Sequence, residues 1–167
     1  MTVKDVIKDL LYLLLKIAFV VVFFVVLFTF LFGIVRYGDS AMAPSIKEGD
    51  LVVYHRYIKS GYQIRDAIVL EKDGQTQVRR VVANAGDVVD ITSDGLVING
   101  AVQQEQDIYQ NTDRYEEGVT FPLTVPEGHV FVLGDSRRDS TDSRIYGPVD
   151  IEETKGKVMA VIKRRGI

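Results

Sequence analysis

Leu11-Tyr-Leu-Leu-Leu-Lys-Ile-Ala-Phe-Val-Val-Val-Phe-Phe-Val-Val-Leu-Phe-Thr-Phe-Leu-Phe-Gly-Ile-Val35 is a run of 25 residues, 22 of them apolar, interrupted only by Lys16, Thr29 and Gly33. Within it, Ala18 to Val35 is 18 consecutive uncharged residues. At ~1.5 Å per residue that is about 27 Å of helix, close to the hydrocarbon thickness of a bilayer. Leu11 to Ile17 adds enough length to cross with some tilt, and Lys16 can snorkel to the near headgroups. A cleaved signal peptide is the competing reading; its apolar run is about 7–15 residues and ends at a small-residue cleavage site. This run is longer, and Arg36-Tyr-Gly-Asp39 follows it, so length favours a retained anchor. Lys4, Lys8 and Lys16 precede the uncharged run, whereas Arg36 is the one basic residue after it before Lys47. The positive-inside bias puts the N-terminus in the cytoplasm of a single-pass protein of the cell membrane. The chain divides into a short cytoplasmic N-terminus (1–10), a transmembrane helix (11–35) and an extracytoplasmic domain (36–167).

Outside this block the composition is that of one modest globular domain. Six of the eight Phe lie inside the block. Residues 36–167 carry 17 Lys/Arg and 21 Asp/Glu, a mixed balance that excludes the basic footprint of a nucleic-acid binder. Apolar residues continue throughout, which excludes a disordered polyampholyte. Cysteine is absent, so there is no disulfide framework and no thiolate chemistry. No His/carboxylate cluster at ligand spacing and no phosphate loop is visible, so neither metal nor cofactor is expected.

After Tyr37 the period changes to that of strands. Asp50-Leu-Val-Val-Tyr-His55, Ala67–Glu71, Thr76–Ala83, Asp87–Ile91, Leu96–Ile98, Val130–Gly134 and Lys157–Lys163 are short β-rich runs. Lys72-Asp-Gly-Gln75 and Ser93-Asp-Gly95 read as tight hairpin turns, and Gln103 to Gly118 as a polar loop. The expected fold is mainly β: an antiparallel, barrel-like sheet domain preceded by a single N-terminal transmembrane helix.

Three patterns draw attention: Gly38-Asp-Ser-Ala-Met-Ala-Pro-Ser-Ile-Lys-Glu-Gly-Asp50, Val78-Arg-Arg-Val-Val-Ala-Asn-Ala-Gly-Asp87, and Gly134-Asp-Ser-Arg-Arg-Asp-Ser-Thr-Asp-Ser-Arg144 with Gly147 beyond. Singly, each has a structural explanation. Gly-Asp pairs make turns; Arg79 and Arg80 fit a strand with one exposed and one stem-buried residue; Asp142 and Arg144 suit an ion pair on one strand face. Together and in this order they resemble the type I signal peptidases, membrane-anchored serine endopeptidases that remove signal peptides from exported proteins. The family's S-M-x-P, K-R-V…G-D and G-D-N-R…S-x-D-S-R…G read here as Ala41-Met42-Ala43-Pro44, Arg79-Arg80-Val81…Gly86-Asp87 and Gly134-Asp135-Ser136-Arg137…Ser140-Thr141-Asp142-Ser143-Arg144…Gly147. Phe121-Pro-Leu-Thr-Val-Pro126 and Val130-Phe-Val-Leu-Gly134 resemble the Gram-positive branch, especially members associated with pilus assembly.

The resemblance implies a Ser hydroxyl that attacks the scissile carbonyl and a Lys amine, kept neutral by burial, that takes its proton. The chain departs at both places. The nucleophile position is Ala41, whose methyl cannot attack. The base position is Arg79, whose guanidinium stays protonated. An alternative register makes Ser40 the nucleophile, with Lys47, Lys59 or Lys72 left to supply the base, and Ala41 itself suits a deliberate inactivation. His55 and His129 are isolated. The resemblance further assigns Met42 and Pro44 to a substrate groove, nearby amides to an oxyanion pocket, Ser140 to the position that orients the base, and Asp142 and Arg144, with Gly134 and Asp135, to structural support. It implies exported precursors as partners, pilin subunits among them, and a signal peptidase I-like protein that binds them without hydrolysis. An active signal peptidase using Ser40 is the alternative.

Overall fold

The structure is a computed structural model and describes residues 3–58 and 61–164. Beyond the charged turns that hold Lys4, Asp5, Lys8 and Asp9, helix α1 (Val3–Leu31) is apolar on every side apart from Lys16 and Thr29, and none of its residues is buried against the other described residues. A helix with that pattern needs an apolar solvent, and this one is long and apolar enough to cross a membrane. It stops at Leu31, so the end of the apolar run is not helical as the sequence suggested. Phe32–Arg36 is strand β1, paired antiparallel with β2 (Leu51–His55) from Phe32↔His55 to Arg36↔Leu51. Gly33, Ile34 and Val35 are poor helix residues, and the latter two suit a strand. Gly33 is also required by packing, because a Cβ there would enter the Tyr54 ring. Arg56 secures the junction: its amide donates to the Leu31 carbonyl at 2.9 Å and its Nε to the Phe32 carbonyl at 3.0 Å, filling orphan acceptors at the helix end.

Ten further strands follow. They are β2, then β3 (Ala67–Lys72), β4 (Gln75–Asn84), β5 (Val88–Thr92), β6 (Gly95–Ile98), β7 (Ala101–Val102), β8 (Leu123–Thr124), β9 (His129–Leu133), β10 (Val149–Asp150) and β11 (Thr154–Ile162). A one-turn helix, α2 (Ser143–Tyr146), precedes β10. One sheet has the order β1-β2-β11-β3-β4-β9-β10, the other β7-β6-β5-β8, and the paired strands run antiparallel, as the sequence predicts. The β3–β4 hairpin turns on Asp73 and Gly74, both at positive φ, the geometry that Asp-Gly favours between two strands.

The strand alternation sorts the core. Val69 and Val78 face one side of the β3–β4 pair, where they pack with Met42, Ile46, Val52 and Tyr54. Ile68, Leu70 and Val81 face the other, with Tyr62, Val130, Val132 and Val149. A third cluster joins the two sheets through Val89, Ile91, Leu96, Phe131 and Leu133. The loop that follows β1 is clamped to this frame, since the Tyr37 amide donates to the Asp50 carbonyl and the Gly49 amide to the Tyr37 carbonyl, each at 2.8 Å.

Candidate functional site

The three sequence patterns meet at one centre. Loop 37–46 leaves β1 and turns over Met42, where the Ala43 amide donates to the Ser40 carbonyl and the Ile46 amide to the Met42 carbonyl. The third segment docks on it through the Ser136 amide, which donates to the Ala41 carbonyl at 2.8 Å. Gly134 makes this approach possible: a Cβ there would lie 2.6 Å from that carbonyl and would overlap the Ser140 side chain. From β4, Arg79 reaches into the same place. Its Nε donates to the Thr141 carbonyl at 3.0 Å, and its Nη1 to the Val78 carbonyl at 2.7 Å and to Asp39 Oδ2 at 3.2 Å. Asp39 links the two positions, because its Oδ1 accepts the Ala41 amide at 2.8 Å.

This centre is closed. Ala41 is 1% exposed, Met42 0%, Ser140 3% and Arg79 2%. Pro44 and Ser40 face solvent, and among the described residues nothing hydrogen-bonds the Ser40 hydroxyl. Neither lysine considered as its base that falls within the described residues attends it. Lys47 is exposed and Lys72 Nζ sits 5.3 Å above the Tyr146 ring. Lys59 lies outside the described residues. His55 accepts the Tyr57 amide at 3.2 Å and His129 Nδ1 lies 2.9 Å from the Glu127 carbonyl, both local contacts.

These contacts add detail that the sequence did not carry. Arg79 bonds the carbonyl of Thr141, and among the described residues the Ser140 hydroxyl has no hydrogen-bond partner. Two backbone amides beside Pro44 are already engaged, that of Ala41 by Asp39 and that of Met42 by the Tyr37 oxygen at 3.0 Å. Asp142 and Arg144 do pair, with Nε to Oδ1 and Nη2 to Oδ2 both at 2.9 Å, but on the N-cap and first turn of α2, not on a strand. Asp135 receives both Nε and Nη2 of Arg80, at 2.7 and 2.6 Å.

Two groups went unseen in the sequence. Arg137 is buried and holds the polar loop, donating to Glu105 through Nη1 and Nη2 at 2.7 and 2.5 Å and to Thr112. Tyr37 and Tyr146 flank Arg79. Burial, and then Asp39, push the Tyr37 phenol well above its ordinary pKa. Burial does the same to Tyr146 against the pull of the Arg79 guanidinium. The Tyr146 hydroxyl lies near Arg79 but forms no well-aligned hydrogen bond. A separate cavity of about 220 Å³, lined by Ile64, Arg65, Arg80, Leu96 and Ile108 among others, includes none of Ala41, Arg79 and Ser140. Among the described residues no group of three or more His, Asp or Glu is placed to hold a metal ion.

An antiparallel β domain carried on one apolar helix, with a polar centre that joins Asp39, Ala41, Arg79 and Thr141, defines the class: a membrane-linked fold of the signal peptidase I kind. The signal peptidase, peptidase S26 family model matches residues 10–163, and the chain belongs to that family. Its relatives include the probable thylakoidal processing peptidase 2 of Arabidopsis thaliana, 30% identical over 71% of this chain and 34% of its own length. Signal peptidase I U of Bacillus subtilis is 33% identical over 63% of this chain and 61% of its own length. The crystal structure of a signal peptidase I from Enterococcus faecalis superposes with a TM-score of 0.52 at 31% identity, over 60% of this chain and 98% of that one. The chain spans little more than a third of the length of the thylakoidal relatives it matches. One N-terminal apolar helix and this kinship together support membrane anchoring.

Proposed function

We propose that this chain binds exported precursor proteins at the outer membrane–water interface without hydrolysing them, and that it assists the assembly of pilin subunits. Its N-terminus lies in the cytoplasm and its β domain outside, in a Gram-positive cell membrane. The observation that carries the reading is the chemistry at two positions that meet through Asp39. Ala41 offers a methyl where the family mechanism needs a hydroxyl, and Arg79 offers a guanidinium, already engaged by one carboxylate and two carbonyls, where it needs a neutral amine. Groove binding survives such a loss, because an extended peptide added to a strand edge is held by its backbone.

Family membership favours a second reading: an active signal peptidase with Ser40 as nucleophile, or a chain in which Ala41 is an introduced inactivation. Incubation of the full chain in detergent with a pilin-precursor peptide separates the two. No cleavage is expected; cleavage that disappears in Ser40→Ala rejects the non-hydrolytic reading. The double variant Ala41→Ser with Arg79→Lys is expected to gain cleavage. Pilin subunits are expected to co-purify with the chain from membranes, and their absence removes the assembly role.

A further inference from the structure

Three donors converge on the Asp39 carboxylate. The Ala41 amide donates to Oδ1 at 2.8 Å, the Tyr37 hydroxyl donates to the same oxygen, and Arg79 Nη1 reaches Oδ2 at 3.2 Å. An amide, a phenol and a guanidinium aimed at one point form a recognition set for a carboxylate. The donors are fixed. Arg79 is pinned by the Thr141 and Val78 carbonyls. Tyr37 is packed among Met42, Val52, Tyr54 and Val78. The acceptor is the accessible partner in this geometry: the Asp39 side chain is 39% exposed, and it follows Gly38, whose surroundings are open. The charged donor is therefore buried, while its counter-charge is partly exposed on a short loop.

We propose that Arg79, the Ala41 amide and the Tyr37 hydroxyl form a binding site for the free C-terminal carboxylate of a peptide, which Asp39 fills in the unliganded chain and vacates when such a peptide enters. The site deepens the peptide-binding reading above and rests on it. Exchange keeps the charges balanced, since one carboxylate leaves as another arrives and the buried guanidinium is never left alone. It also separates two kinds of ligand. A peptide that has been cut ends in a carboxylate; an intact precursor has a neutral amide at the same point. Asp39 competes at the high effective concentration of a group tethered two residues from the amide it occupies. Affinity for a free peptide end is therefore suppressed in the wild type and released when Asp39 is removed.

The test uses the full chain in detergent and a fluorescent peptide ending in Ala-Gln-Ala with a free carboxylate, beside its C-terminal amide twin. Asp39→Ala is expected to bind the carboxylate peptide about tenfold or more tightly than the wild type does. The amide twin should gain nothing, and adding Arg79→Gln should abolish the gain. Equal binding of the twins, or a gain that persists without Arg79, overturns the proposal. If Asp39→Ala does not fold, Asp39→Asn decides, since it keeps an acceptor for the Ala41 amide but removes the competing charge: it should prefer the carboxylate twin over the amide, and equal affinity overturns the site. Formate, which needs the three donors but no groove, tells the two levels apart. A rise in the melting temperature of Asp39→Ala with formate but not chloride, with no peptide bound, sustains the carboxylate site and removes the peptide-binding function. Peptide binding without discrimination and without formate rescue removes the site and leaves that function standing.

Discussion

Asp142 accepts four hydrogen bonds, from the amides of Gly134 and Arg144 at 3.0 and 3.1 Å and from Nε and Nη2 of Arg144 at 2.9 Å each. Arg144 spends its remaining reach on the carbonyls of Arg137 and Asp113, and the two side chains are 0% and 2% exposed. A few residues away the accounting is different. Arg79 is equally buried, yet its counter-ion Asp39 is more than a third exposed, and the Ser140 hydroxyl and the Gln77 side-chain oxygen are buried with no hydrogen-bond partner among the described residues. The first cluster is a finished piece of scaffold. The second has donors and acceptors to spare, which is how a site differs from a strut: buried polar groups without partners carry a free-energy cost that ligand contacts can offset.

The contrast is broken most forcefully from the scaffold side. Asp142→Ala leaves the Arg144 guanidinium buried without its carboxylate and is expected to cost about 3–5 kcal/mol. A fall of that size in the thermal or urea midpoint of the full chain checks it, and a change near zero means that the cluster is not a strut. Gly134→Ala comes next. Its Cβ meets the Ala41 carbonyl and Ser140, neither of which can retreat easily, and a loss of about 1–3 kcal/mol is expected from overpacking. Peptide binding should fall with it, because the Ser136–Ala41 contact is displaced.

Asp50 gives a milder test through pH. The amides of Lys47 and Arg164, and then the Lys163 ammonium, hold its carboxyl below the usual carboxylate range. A folded-state pKa below the unfolded one means that the unfolded chain binds the extra proton. The stabilisation is complete above the ordinary carboxylate pKa of about 3.9 and disappears as pH falls through the lower folded value. The melting-temperature gap between the wild type and Asp50→Asn should therefore be full near neutrality and close as acidification passes below the ordinary carboxylate range. A gap that stays constant with pH removes Asp50 as the source.

The longer strands were legible because alternation and turn chemistry agree: Ala67–Lys72 and Gln75–Asn84 flank an Asp-Gly that needs positive φ twice, whereas the two-residue strands β7, β8 and β10 are too short to show a period. Strand β1 was not, because Phe32–Val35 continues an apolar run with no break, and periodicity alone does not distinguish its last residues from helix. The convergence of residues 41, 79 and 140 was implied by the family resemblance and by no local pattern. The Asp39 bridge was not implied, since Gly38-Asp39 has the composition of any turn, and the Arg137–Glu105 pair joins residues 32 apart along the chain. Contacts that depend on which loop folds over which strand leave no local trace in a single sequence.

The smallest expected effect is the sharpest discriminator. Ser140 and Ser143 are both buried and three residues apart, but the Ser143 hydroxyl accepts the Val132 amide at 3.0 Å whereas the Ser140 hydroxyl has no partner. Ser143→Ala strands a buried N–H and should cost about 1 kcal/mol or more. Ser140→Ala removes an oxygen that satisfies nothing and puts no new atom near Gly134, so its cost should lie within about 0.5 kcal/mol of zero, on either side. Denaturation midpoints of the two variants, measured side by side, decide whether the centre beside Arg79 holds polar capacity in reserve. If Ser140→Ala proves as costly as Ser143→Ala, that hydroxyl is bonded after all, and the distinction between scaffold and site must be drawn elsewhere.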